Sequence, residues 1–131
     1  MAKKCLCKPQ EILIFPCSGA SNVGQIANQA AVQLTEEGVG NMFCLAGIGA
    51  HLDGMIEGAK TAKRIVAIDG CSTECATKTL KHAGISVTHN INVISEGIAK
   101  NHYLKISQQD VKFVVRQIKL VLKRPQIKES S

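Results

Sequence analysis

The sequence predicts an α/β domain: a mostly parallel sheet of four to five strands, flanked by helices in three layers. Three observations predict it. Glu11–Phe15 (E-I-L-I-F) and Arg64–Ile68 (R-I-V-A-I) carry continuous apolar runs, the mark of strands buried on both faces rather than alternating ones. Amphipathic stretches with 3.6-residue periodicity separate the strand candidates, and strands alternating with helices make a parallel sheet. Cys17, Cys44 and Cys71 recur at 27-residue intervals, close to the length of one strand–helix unit.

Glu11–Phe15 is the first strand, and Pro16–Ala20 leaves it as a loop. Asn22 and Gln25 stand as a capping-box pair for the first helix, with Val23, Ile26, Ala27, Ala30, Ala31 and Leu34 on its buried face. Gly38 ends it, as a left-handed C-terminal cap does. Met42–Leu45 is the second strand, Ala46–His51 a flexible loop, and Leu52–Thr61 a short helix. Arg64–Ile68 is the third strand. A helix over Ser72–Ala83 is closed by Gly84, and Ile85–Thr88 forms a short fourth strand. A fifth strand falls near Ile91–Ile94. Ser107 and Asp110 cap a last helix with the stripe Val111, Val114, Val115, Ile118, Val121 and Leu122, stopped by Pro125. This alternation is of the doubly wound, Rossmann-like or flavodoxin-like kind.

The 131 residues suffice for one domain with a real core, assigned to residues 11–124 between a basic tail (1–10) and a frayed end (125–131). Apolar residues make up 45%, which excludes a disordered class. No apolar run approaches the ~20 residues of a membrane helix, and no signal-peptide core comes after Lys3 and Lys4. A cytoplasmic location is expected, with no membrane partner. Six cysteines in a reducing compartment argue for metal or redox chemistry over disulfides. The formal charge of +6 falls to about +4 if four thiolates hold a zinc ion. Lys112, Arg116, Lys119, Lys123, Arg124 and Lys128 make the last helix basic, which suits a solvated face. With aromatics at 3%, stacking platforms are scarce, and nucleic acid is not expected as a partner.

Parallel strands deliver the loops after their C-terminal ends to one edge of the sheet. Cys17, Cys44 and Cys71 should therefore meet there, joined by Cys75, placed four residues on at the start of a helix. Four thiols so gathered form a metal site, with tetrahedral Zn²⁺ the first candidate and an iron–sulfur cluster the alternative. The competing reading makes each cysteine a small buried hydrophobe, most strongly for Cys44 inside a strand.

The residues that carry the pattern are P-C-S-G at 16–19, the lone Cys44, and I-D-G-C-x-x-x-C-A at 68–76. With them the chain resembles the DGC-domain family, small prokaryotic proteins to which zinc binding is ascribed and which take their name from the Asp-Gly-Cys motif, here Asp69-Gly70-Cys71. The resemblance spans roughly residues 11–124. It implies Cys17, Cys44, Cys71 and Cys75 as the chelating set, and it implies no particular reaction.

Asp69 either shapes the turn through loop amides or orients a ligand, and Gly70 is expected at positive φ. Ser18–Gly24 is a tight strand-to-helix turn, with weak anion binding as its other reading; it lacks the lysine of a phosphate-binding loop. His51 and His89 are placed at the cysteine edge as a further ligand, a partner to a ligand, or a base. His82 is a surface residue at a helix end. Cys5 and Cys7 form a Cys-x-Cys pair that supplies a second metal site, a mobile redox thiol pair, or nothing. The functional readings are a structural or zinc-handling site, or thiol and sulfur chemistry on a small thiol or sulfur-containing substrate. The alternatives are an iron–sulfur or thiol-redox protein using the same cysteines, and a module whose basic last helix meets nucleic acid or an acidic partner.

Overall fold

The computed structural model describes residues 11–124. Four strands, β1 (Ile12–Pro16), β2 (Asn41–Met42), β3 (Arg64–Asp69) and β4 (His89–Asn92), form one sheet in the order β2-β1-β3-β4. Every pairing is parallel. The helices are α1 (Asn22–Glu36), α2 (Leu45–Gly49), α3 (Asp53–Lys60), α4 (Cys75–His82) and α5 (Gln108–Leu122), with a 3₁₀ turn at Val93–Glu96.

All five residues of β1 are buried, as a strand covered on both faces requires. Alternate β1 residues feed two separate cores. Ile12 and Ile14 pack with the apolar faces of α1 and α5. Leu13 and Phe15 pack with Ile48 of α2, Ile56 and Ala59 of α3, and Ala76 and Leu80 of α4. The result is the three-layer α/β arrangement that the apolar runs predict.

Several boundaries differ from the sequence expectation, each for a local reason. The N-cap of α1 is Ser21, whose side chain accepts from the Gly24 amide at 3.1 Å. Asn22 lies inside the helix and turns its amide group to a distant loop. Strand β2 stops at Met42, so Cys44 is outside it and opens α2; the glycine-rich 46–51 segment is largely helical. No strand forms over 85–88; β4 starts at His89 and takes up the first half of the expected fifth strand. The Thr88 hydroxyl accounts for the delayed start: it accepts from Ile65 N at 2.8 Å, taking the β3 amide a longer strand would use, while Thr88 N donates to Ile65 O at 2.9 Å. Helix α4 begins at Cys75, so Cys71 is not within it. Gly38 takes φ +77 just past α1, and Ser107 caps α5 through the Asp110 amide, both as expected. Cys5, Cys7 and Pro125 lie outside the described residues.

Candidate functional site: the thiol edge of the sheet

The chain leaves β1 toward β2 on one side and returns past it to β3 on the other, so the strand order reverses between β1 and β3. Open α/β sheets bind ligands in the crevice outside the strand ends at that point. Pro16 pairs with Ile68, and the ladder runs one residue further because Cys17 N donates to Ile68 O at 2.8 Å. Cys17 is therefore the first residue off β1, beside the end of β3. Phe43 N donates to Ile14 O at 2.9 Å, and Cys44 leaves the sheet one residue later. One glycine separates Asp69 from Cys71, and Cys75 opens α4. With neighbouring strands about 4.8 Å apart, three consecutive strand ends thus carry a cysteine at the same edge.

The thiols are not equivalent. Cys17 and Cys71 are half-buried against the α1–α5 core, while Cys44 and Cys75 are exposed. All four are free. Their chemistry fits a soft, thiolate-binding ion. Their placement is looser than a closed site: among the described residues, no group of three or more histidine, cysteine or acidic side chains stands close enough to hold a metal ion. The pairing of Cys71 with Cys75 on one helical face does not occur. Glu74, in the left-handed conformation at φ 56, breaks the path between them.

Each letter of Asp-Gly-Cys has its own structural reason. Asp69 is 1% exposed. Its Oδ1 accepts from the Ala76 amide at 2.7 Å; its Oδ2 accepts from the Thr77 hydroxyl at 2.5 Å and the Thr77 amide at 3.4 Å. The residue at the N-cap position of α4, Glu74, makes no side-chain cap. Asp69 therefore caps α4 from the sheet, its charge set against the positive end of the helix dipole. The amides it holds belong to α4, not to its own turn.

Gly70 is not at positive φ, contrary to expectation. A Cβ there would lie 2.9 Å from Gly24 N and 3.0 Å from Val23 C, so glycine is required by close approach of the α1 backbone.

Cys71 has the most developed surroundings. Hydrogen bonds from the Thr73 side chain and backbone hold its thiol below the ordinary cysteine range, and Lys100 adds to the effect. Lys100 Nζ donates to the sulfur at 3.6 Å. The loop that carries Lys100 is fixed by Asn22, whose Nδ2 donates to Ala99 O at 2.8 Å and whose Oδ1 accepts from Asn101 N at 2.6 Å. Asn92 Nδ2 holds Cys71 O at 2.8 Å, leaving its own Oδ1 buried without a partner. Thr73 and Lys100 had no sequence signal, because they reach the site from the turn beside Cys71 and from a distant loop; Asn22 was legible only as a helix-capping residue, not as the anchor of that loop.

The Ser18–Gly24 segment is a tight turn. Gly19 N donates to Cys17 Sγ at 3.4 Å, Ser21 N to Gly19 O, and Gln25 Nε2 to Ser18 O and Gly19 O. His89 is not at this edge: it opens β4 at the opposite end, 2% exposed, with Nε2 3.2 Å from Arg124 O. His51 pairs with His82 instead of reaching the cysteines.

The fold and its edge define a class, a doubly wound α/β domain with cysteines grouped at the switch point of the sheet. Residues 13–118 match the DGC domain, and the chain belongs to that family. It is 28% identical over 110 residues to the anaerobic and virulence modulator AnvM of Pseudomonas aeruginosa PAO1, an alignment covering 84% of each chain. No solved structure matches the chain. Among the described residues, no helix is long and apolar enough to cross a membrane.

Proposed function

We propose that the protein binds one zinc ion through the thiolates of Cys17, Cys44, Cys71 and Cys75, in a reducing cytoplasmic setting. The observation that carries this reading is that three neighbouring parallel strands are each followed, within two residues, by a free cysteine at one edge, with the fourth opening α4. The thiols converge on the ion from their separate positions, which the exposed Cys44 and Cys75 have the room to do. A bound zinc in such a set offsets half of the thiolate charge and ties the β1, β2 and β3 ends together. Elemental analysis of the full chain, purified without oxygen, is expected to give about one zinc per chain. Cys71→Ser and Cys75→Ser should each lose it. Iron with equimolar sulfide would replace this reading by an iron–sulfur one; absence of metal in the native chain would remove both.

A second reading rests on the surroundings of Cys71: the Thr73 side chain and backbone bond its sulfur, with Lys100 Nζ 3.6 Å away, and these hold its thiol below the ordinary cysteine range. In metal-free protein, Cys71 serves as a reactive thiolate toward a small sulfur-containing substrate such as a disulfide, forming a mixed disulfide as the S–S bond breaks and the other sulfur leaves as a thiolate. Oxygen-sensitive thiol chemistry would also suit a relative named as an anaerobic modulator. The sign is direct: a lowered pKa keeps the thiolate populated at pH values where an ordinary cysteine is protonated. Alkylation of Cys71 in metal-free protein should therefore begin at lower pH than that of a cysteine in a short unstructured peptide. Thr73→Ala should move the Cys71 profile toward that of an ordinary thiol and slow labelling at neutral pH several-fold. Coincident profiles for Cys71 and the peptide would exclude a special role for Cys71.

A further inference from the structure

A second cluster of ligating side chains lies away from the thiols. His51 stands just past α2, His82 ends α4, and His82 Nδ1 lies 3.2 Å from His51 Nε2. The rings meet edge to face, centroids 5.1 Å apart at 73°. They border a cavity of about 320 Å³ whose other lining residues are Gly49, Lys78 and Thr79. The pair is separate from the cysteine edge: Cys75 and His82 stand at opposite ends of α4, about 10 Å apart along the helix.

We propose that His51 Nε2 and His82 Nδ1 together bind a divalent transition-metal ion, with zinc the probe of choice. The separation supports it. Two imidazole nitrogens on one tetrahedral zinc, each at ~2.0–2.1 Å, stand about 3.4 Å apart. The nitrogens are already at nearly that spacing, so the ion replaces the proton they share. In the bound state each ring carries its N–H on its other nitrogen.

His51 is held in place by a left-handed backbone, φ 56, and by its amide bond to Ile48 O at 3.0 Å. A non-glycine residue at such a φ is uncommon, and histidine is among the types that tolerate it. Two protein ligands leave two positions of a tetrahedral ion facing the cavity. Lys78 beside them favours hydroxide or another anion as the outer ligand. The histidine pair shares no ligand with the zinc proposed for the cysteines, so either site can exist without the other.

The test is a titration of the full chain with zinc alone, beyond any metal it carries on purification. It is followed by the imidazole nitrogen resonances and by zinc stoichiometry. The expected result is one further equivalent, with His51 Nε2 and His82 Nδ1 shifting together. His82→Gln, and His51→Asn, which keeps a left-handed-tolerant residue, should each abolish that equivalent and leave the metal content of the purified protein unchanged. The proposal is overturned if neither nitrogen shifts at roughly tenfold excess, or if the extra zinc persists in both variants. It is equally overturned if inorganic phosphate shifts the rings and zinc does not, which would make the cavity an anion site.

Discussion

Asp69→Ala should destabilise the protein by about 3 kcal/mol, a large share of the ~5–15 kcal/mol that holds a domain of this size together. The carboxylate is 1% exposed and accepts three hydrogen bonds, all from the first turn of α4. Each bond to a charged acceptor contributes about 1.5–3 kcal/mol, and removing the acceptor leaves the buried Ala76 amide and the partly buried Thr77 hydroxyl without their partner. The losses overlap, because the freed turn shifts and recovers some solvation, so the total falls below the simple sum. The second consequence is positional. Cys75 is the first residue of α4, and the turn from Cys71 to Glu74 is anchored by α4 at one end and β3 at the other. Asp69→Ala should therefore also weaken zinc binding, whereas Thr77→Val, which removes one donor and leaves the carboxylate bonded to two amides, should cost less than half as much. Urea denaturation of the metal-free proteins reads the first effect cleanly. A loss under about 1 kcal/mol would show that α4 does not depend on this cap.

How far the sequence discloses this molecule depends on the range of the interactions involved. The continuous runs at 11–15 and 64–68 report burial on both faces, a property each strand carries by itself, so β1 and β3 are legible to within one residue at their ends. The same holds for the stripes of α1 and α5 and for the Ser107–Asp110 cap. Strand β4 is misplaced because its start is fixed by the Thr88 hydroxyl bonding Ile65, a contact between residues 23 apart. The end of β2 is misplaced because Met42, Phe43 and Leu45 are apolar in any conformation, and hydropathy does not distinguish a strand from the first turn of a short helix. The cysteine interval does disclose the thiol edge, since it reflects the strand–helix period. It does not disclose the geometry between Cys71 and Cys75, where a left-handed Glu74 replaces the expected helical turn. Nor does it find the His51–His82 pair, which requires knowing that α2 and α4 pack together.

Gly70→Ala should cost about 1–3 kcal/mol, and its effect should be felt first at the thiols. An added Cβ would lie 2.9 Å from Gly24 N and 3.1 Å from Gly24 Cα, both backbone atoms that no rotamer change can move. The α1 backbone is pinned on its other side as well: a Cβ at Gly24 would lie 2.7 Å from Gly19 O and 2.8 Å from Gly19 N. Three stretches of chain, each leading to or from a cysteine turn, therefore press together without side chains between them. Helix propensity favours alanine over an interior glycine by about 1 kcal/mol, so Gly24→Ala sets a gain against a clash. With backbone on the far side, the clash is expected to win. The exposed α3 supplies the comparison. Nothing lies within 4 Å of a Cβ built at Gly58, so Gly58→Ala should stabilise by roughly 0.5–1 kcal/mol. Gly70→Ala and Gly24→Ala press on two sides of the same α1 backbone, so the loss in the double variant should depart from the sum of the single losses. Additive losses would mean that the β1–α1 and β3–α4 turns are not packed as one unit, and Cys17 and Cys71 would then have no common floor.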